Sequence, residues 1–205
     1  MDKVGLIARL QSQLVNNAGN KLKPEHYEAA IFAALERFSI DVVHLKSSNL
    51  EIIADVKQYD TPADLLELMW HDWKFPDFVG YAPISTGYPD LRSVKTDAGY
   101  KIEFYPLAPT TQQIDLLGKT VNYHYRASHY LPLDSADTNQ STIPDRLNTA
   151  FEILSMAYLM LQLSNMDIVS PVQLHNGMGD MQQPRTAIDQ HNALIKHYKT
   201  IINGS

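Results

Sequence analysis

The segment from Pro144 to Ser164, PDRLNTAFEILSMAYLMLQLS, constrains the fold more than any other part of the chain. Leu147, Phe151, Leu154, Tyr158 and Leu161 recur at helical spacing, while Ile153, Met156, Leu159, Met160 and Leu163 carry the apolar surface nearly all the way round. A helix of that kind must be central to a core or covered by a partner, because one buried face cannot account for it. Asn148, Glu152, Ser155 and Gln162 interrupt it, so the unbroken apolar run falls short of the roughly 20 residues a membrane span needs. Pro144 and Asp145 suit a helix first turn.

Just before it, Val121, Tyr123 and Tyr125 alternate with Asn122, His124 and Arg126, the period of a half-exposed strand. The polar stretch from Leu133 to Thr142 links the two. Strand, polar link and buried helix in one window predict that the core forms around 121–164.

The rest of the chain supplies elements for that core. Val4, Leu6, Ile7, Leu10 and Leu14 predict an amphipathic helix near 2–15, closed by the turn NNAGN. Pro24 opens a second helix near 24–45, with Tyr27, Ile31, Ala34, Leu35, Phe38 and Val42 on one stripe. A last helix, near 185–202, carries Ile188, His191, Ile195, Tyr198 and Ile202. Between the second helix and the long one, the period drops to two. Glu51–Val56, Leu65–Trp73 and Lys101–Tyr105 read as strands, and the last is expected to form a hairpin with the strand at Val121. The predicted fold class is α+β: a bundle of the helices near 2–15, 24–45, 144–164 and 185–202, in one domain, with a small antiparallel β-sheet inserted over 50–130 and long loops.

Two loops stand out, Phe75–Tyr100 and Asn165–Pro184. Loops of such length inside compact domains are usually functional or disordered, and these carry aromatics and methionines suited to protein contacts. Phe78, Tyr81, Tyr88, Met178 and Met181 are therefore candidate contact residues, joined by Arg185 and Tyr198 near and on the last helix.

Catalytic and metal chemistry find little purchase. With no cysteine, disulfides and thiolate metal sites are excluded, a composition that fits a reducing cytoplasm. His124 and His129 are five residues apart, and His191 and His197 six apart, so neither pair shares a face of its element. Asp55, Asp60 and Asp64 surround a turn, where Asp caps local backbone. No G-x-S-x-G elbow or phosphate loop is present, and Gly177–Asp180 lacks both the preceding strand and the spacing for one. The net charge of -6 argues against a general nucleic-acid surface. The expectation is a protein with no catalytic residues, no metal, no cofactor and no membrane span, and without the long apolar core of a secretion signal near its start. The rival enzyme reading, a small hydrolase, would use His71, Asp72 or the pair His124 and His129.

The order of elements adds a resemblance. YEAAIFAALERFSIDV, then EIIADVKQYDTPADLLEL, then VNYHYRASHYL, then STIP leading into AFEILSMAYLMLQL, resembles the head-to-tail connector (adaptor or neck) proteins of tailed bacteriophages. The pattern falls on Tyr125, Ala127, His129, Leu131, Ile143 and Pro144. The resemblance implies a helical bundle with an inserted sheet, assembled as a homo-oligomeric ring, commonly dodecameric. It implies as partners the portal protein and a tail or second neck protein, with DNA passing through the lumen without specific binding. Such a subunit is made in the host bacterial cytoplasm and resides in the virion. The segment 185–205 would be a docking arm, or part of the bundle. A tail-completion or tail-tube terminator protein is the neighbouring alternative.

Overall fold

The computed structural model describes residues 1–15, 21–73, 89–97, 99–166, 173–174 and 186–204. The described residues form an α+β protein of five α-helices and two three-stranded antiparallel sheets. The chain, expected as one domain, divides into two compact units: Met1–Val42 with His129–Ser205, and Val43–Ser128. The second is the β-rich insertion, beginning seven residues before the expected position 50.

The first unit is helical. Its elements are α1 (Lys3–Gln13), α2 (Pro24–Asp41), α4 (Asn148–Asn165) and α5 (Ala187–Gly204). Strand β1 (Leu14–Val15) pairs antiparallel with β8 (Gln173–Leu174). Asp2 caps α1 by accepting from the Gly5 amide at 2.7 Å. Pro24 occupies the first turn of α2, and the Lys23 amide donates to Nδ1 of His26 at 2.9 Å. Helix α4 lies against both α2 and α5 and buries Phe151, Leu154, Met156, Leu159, Met160 and Leu163, as its all-round apolar pattern requires. Each such side chain contributes about 1.5–3 kcal/mol. Its first turn differs from expectation: Asp145–Leu147 is a 3-10 turn, and the α-helix proper starts at Asn148. Helix α2 ends at Asp41, short of the expected 45, because Val42 is already extended.

Ser39 and His129 are buried polar residues of this unit, and both are hydrogen-bonded. Oγ of Ser39 donates to the Leu35 carbonyl and accepts from the His129 amide at 2.9 Å. The His129 ring faces Thr142 through Nδ1 and the Val42 carbonyl through Nε2, and meets Phe38 edge-on. His129 thereby fastens the point where the chain leaves this unit to the point where it returns.

The second unit holds β2 (Leu45–Glu51), β3 (Gln58–Asp60), β4 (Leu65–His71), β5 (Asp90–Thr96), β6 (Gly99–Tyr105), α3 (Thr111–Leu117) and β7 (Thr120–Ala127). They form two sheets, ordered β2-β7-β4 and β3-β6-β5. Both feed one core with α3, which includes Leu65, Trp73, Ile102, Phe104, Ile114 and Tyr123. Nε1 of Trp73 donates to the Gly118 carbonyl, satisfying its polar edge inside that core.

Three expectations need correction here. The strand placed at Glu51–Val56 lies earlier, at Leu45–Glu51, and Asp55 sits in a turn with φ of 62°. The hairpin between Lys101–Tyr105 and the strand at Val121 does not form: β6 pairs with β3 and β5, whereas β7 pairs with β2 and β4. The cause is α3, closed at its start by the reciprocal Thr110–Gln113 capping bonds and at its end by Gly118 with φ of 97°. It carries the chain from one sheet to the other. Lastly, the loop expected over Phe75–Tyr100 includes an ordered hairpin, β5 with the start of β6.

Candidate interaction surface

The outer face of the β2-β7-β4 sheet is built by alternation on β7. Val121, Tyr123, Tyr125 and Ala127 point into the core, so Asn122, His124 and Arg126 point out. Strand β4 follows a different rule. Its register shifts between Leu65 and Glu67 and again between Leu68 and Trp70. Leu65, Leu68 and His71 therefore oppose the inward residues Ala127, Tyr125 and Tyr123, while Glu67 and Trp70 oppose the outward Arg126 and His124. The spacing of three along β4 is the signature of two bulges in a short strand. Trp70 is turned outward by the second bulge.

Trp70 ends 51% exposed and stacked on His124, ring centroids 4.1 Å apart and planes 17° from parallel. Leu45 and Met69 are also exposed. Arg126 lies 4.0 Å from Glu67, and the Asp72 carboxylate accepts from the backbone and side-chain amides of Asn122. An outward tryptophan held flat by its neighbour is pre-ordered, so little side-chain entropy is lost when a partner covers it.

Beside this face, β4 and β5 border a groove of about 330 Å³ lined by Glu67, Leu68, Trp70, His71, Asp90 and Arg92, among others. Nε2 of His71 lies 2.8 Å from Oδ1 of Asp90. A histidine oriented by a carboxylate is two-thirds of a hydrolytic relay, but the other ring nitrogen must then face a nucleophile. Nδ1 of His71 is buried and makes no hydrogen bond among the described residues. Arg92 is committed elsewhere, to Glu103 at 2.8 Å and over the Tyr105 ring at 3.9 Å.

The structure separates the other sequence candidates. His124 belongs to the sheet unit and stacks on Trp70, whereas His129 is bonded inside the helical unit. Among the described residues no three His, Asp or Glu side chains gather where a metal ion could be held. Tyr198 is 1% exposed, a core residue of the helical unit. Its hydroxyl donates to Asp41 at 3.1 Å, and burial, reinforced by that carboxylate, pushes its pKa up. Phe78, Tyr81, Tyr88, Met178, Met181 and Arg185 lie outside the described residues.

Trp70 and His124 as a surface pair escape a sequence reading, because their meeting depends on a bulge that no residue type announces. No described helix is long and apolar enough to cross a membrane. No protein-family model matches this chain, and no curated protein matches it.

Proposed function

We propose that this protein is a structural subunit of the head-to-tail connector of a tailed bacteriophage, acting by protein contacts and resident in the virion neck. It forms a ring that joins the portal to the tail and continues the DNA channel. The order of elements supports the reading: two opening helices, a β-rich insertion, then the IP turn at Ile143 and Pro144 leading into a long buried helix. The observation that carries it is the outward, pre-ordered Trp70 on the inserted sheet. Aromatic anchors of this kind are characteristic of protein interfaces and unusual on a surface meant to stay wet.

Ring formation needs two different surfaces on each subunit. The exposed apolar residues of the sheet unit, Leu45, Met69 and Trp70, offer one; Phe32 and Ile40, both exposed on α2 of the helical unit, offer a second. The test is electron microscopy of the protein mixed with portal-containing, DNA-filled capsids. A ring of this chain below the portal is the expected result. Absence of binding to both portal and tail tube would overturn the reading, and binding to tail tube alone would move it to a tail-completion or terminator role.

A further inference from the structure

Two helices of the helical unit carry outward stripes that match each other. On α2, Glu25, Ala29, Phe32, Glu36 and Ile40 are all exposed and follow one another at intervals of four, three, four and four residues. That spacing puts them on one face of the helix, opposite the buried Tyr27, Ile31, Ala34 and Phe38. Phe32 is 63% exposed and Ile40 60%, so nothing in the described chain covers the apolar part of this face. On α5, Ile188, Asn192, Lys196, Lys199 and Asn203 are likewise exposed, at intervals of four, four, three and four. They point away from the buried Ala187, Leu194 and Tyr198.

In reverse order the α5 intervals are those of α2, so an antiparallel pair of these helices keeps both stripes in step along their whole length. With Ile40 level with Ile188, Glu36 meets Asn192, Phe32 meets Lys196, Ala29 meets Lys199 and Glu25 meets Asn203. The two exposed isoleucines cover each other. Lys196 lays its stem on the Phe32 ring and lies one turn from Glu36, while Lys199 passes over the small Ala29 and lies one turn from Glu25. No two like charges share a level. The α2 stripe brings carboxylates and no cation, the α5 stripe ammonium groups and no carboxylate. Among the described residues Glu36, Lys196 and Lys199 make no ion pair within the chain. Spacing and charge together name a second copy of this chain as the occupant.

We propose that α2 of one copy packs antiparallel against α5 of the next. The two helices cover α4 from different sides, so one neighbour cannot satisfy both stripes and the contact is heterologous. Any open run of copies keeps an uncovered α2 at one end and an uncovered α5 at the other, and grows until it closes. This deepens the ring reading, on which closure into a ring rests, by naming the neighbour's α5 as what covers Phe32 and Ile40. The sheet face with Trp70 stays open to a different partner.

Analytical ultracentrifugation of the full chain is the test. Assemblies larger than a dimer should grow with concentration and weaken as salt is added. Glu25→Lys with Glu36→Lys sets like charges together at every joint, as does Lys196→Glu with Lys199→Glu, and each double variant should weaken association by at least about tenfold. An equimolar mixture of the two double variants places opposite charges at every joint and should recover the assemblies of the unmodified chain. All four positions are exposed, and circular dichroism reports the folding of the variants. A chain that stays monomeric up to about 100 μM overturns the proposal. So does association that neither double variant weakens, or a mixture that assembles no better than its parts. Binding to portal-bearing capsids, measured on the same preparations, tells the two failures apart. Assembly as expected without portal binding sinks only the connector reading, and portal binding by a chain whose association ignores the variants sinks only the contact between α2 and α5.

Discussion

Trp70 lies nearly parallel to His124 across two paired strands, at a centroid distance of 4.1 Å, and half of its surface remains open. The stack is made by a bulge, so removing the indole leaves the β7 ladder and the core residues beneath it in place. Trp70→Ala should therefore change the stability of the isolated chain by no more than about 1 kcal/mol. If the ring occupies this face, the same change should weaken assembly onto portal-bearing capsids by about 2 kcal/mol, roughly 30-fold. A urea titration beside a capsid-binding assay separates the two effects.

That pair also marks where sequence reasoning stops. The alternation of Val121, Tyr123 and Tyr125 is readable because β7 is central, with one face fully committed to the core. The all-round apolar pattern of α4 is readable for a similar reason, since α2 and α5 cover it from different sides. Strand β4 buries Leu65 and His71 and half-buries Leu68, a spacing of three that mixes the periods of helix and strand. Strand β2 is harder still: LKSSNLE is exposed along most of its length, so burial imposes no pattern on it. Helix α3 carries a local signal in the reciprocal cap of Thr110 and Gln113, which the expected hairpin between Lys101–Tyr105 and the strand at Val121 passed over. The surface itself was illegible, because exposure of Trp70 follows from register and not from residue type.

Glu103 gives the sheet unit a dependence on acid. Its largely covered carboxylate accepts from Gln58 at 2.8 Å and from Arg92 at 2.8 Å, with Lys57 at 3.7 Å. The Gln58 bond first, and the Arg92 pair second, hold its pKa below the ordinary value of 4.5. A carboxylate with a depressed folded pKa stabilises above its unfolded pKa, and that stabilisation is lost as pH falls through the folded value. Thermal melts should thus show the unit losing stability below about pH 4.5. In Glu103→Gln that part of the acid dependence should flatten, at the cost of lower stability near neutrality.

Phe151 sits at the centre of the helical unit, edge-on to Phe38 at 5.4 Å and fully buried. Phe151→Ala opens a cavity that α2 and α4 cannot close without moving, and should cost about 3–5 kcal/mol by denaturant titration. Ser155→Ala, on the same helix, should be nearly neutral. The Ser155 hydroxyl only bonds back to the Phe151 carbonyl, which already belongs to the helix, so its loss strands no buried partner.

Tyr198 ties α5 to the end of α2. Its hydroxyl donates to Asp41, and Asp41 also accepts from Nε of Arg37 at 2.8 Å. Tyr198→Phe keeps the buried ring and removes one hydrogen bond to a carboxylate, which should cost about 1.5–3 kcal/mol. Asp41→Asn should cost less than removing the tyrosine ring, because the amide oxygen still accepts from the hydroxyl while the Arg37 pair is weakened. Near the surface that pair is worth under about 1 kcal/mol. A double-mutant cycle on Tyr198→Phe and Asp41→Ala, the second of which removes the acceptor, measures the coupling directly. A coupling near zero would mean that the ring alone, and not its hydroxyl, holds α5 against α2.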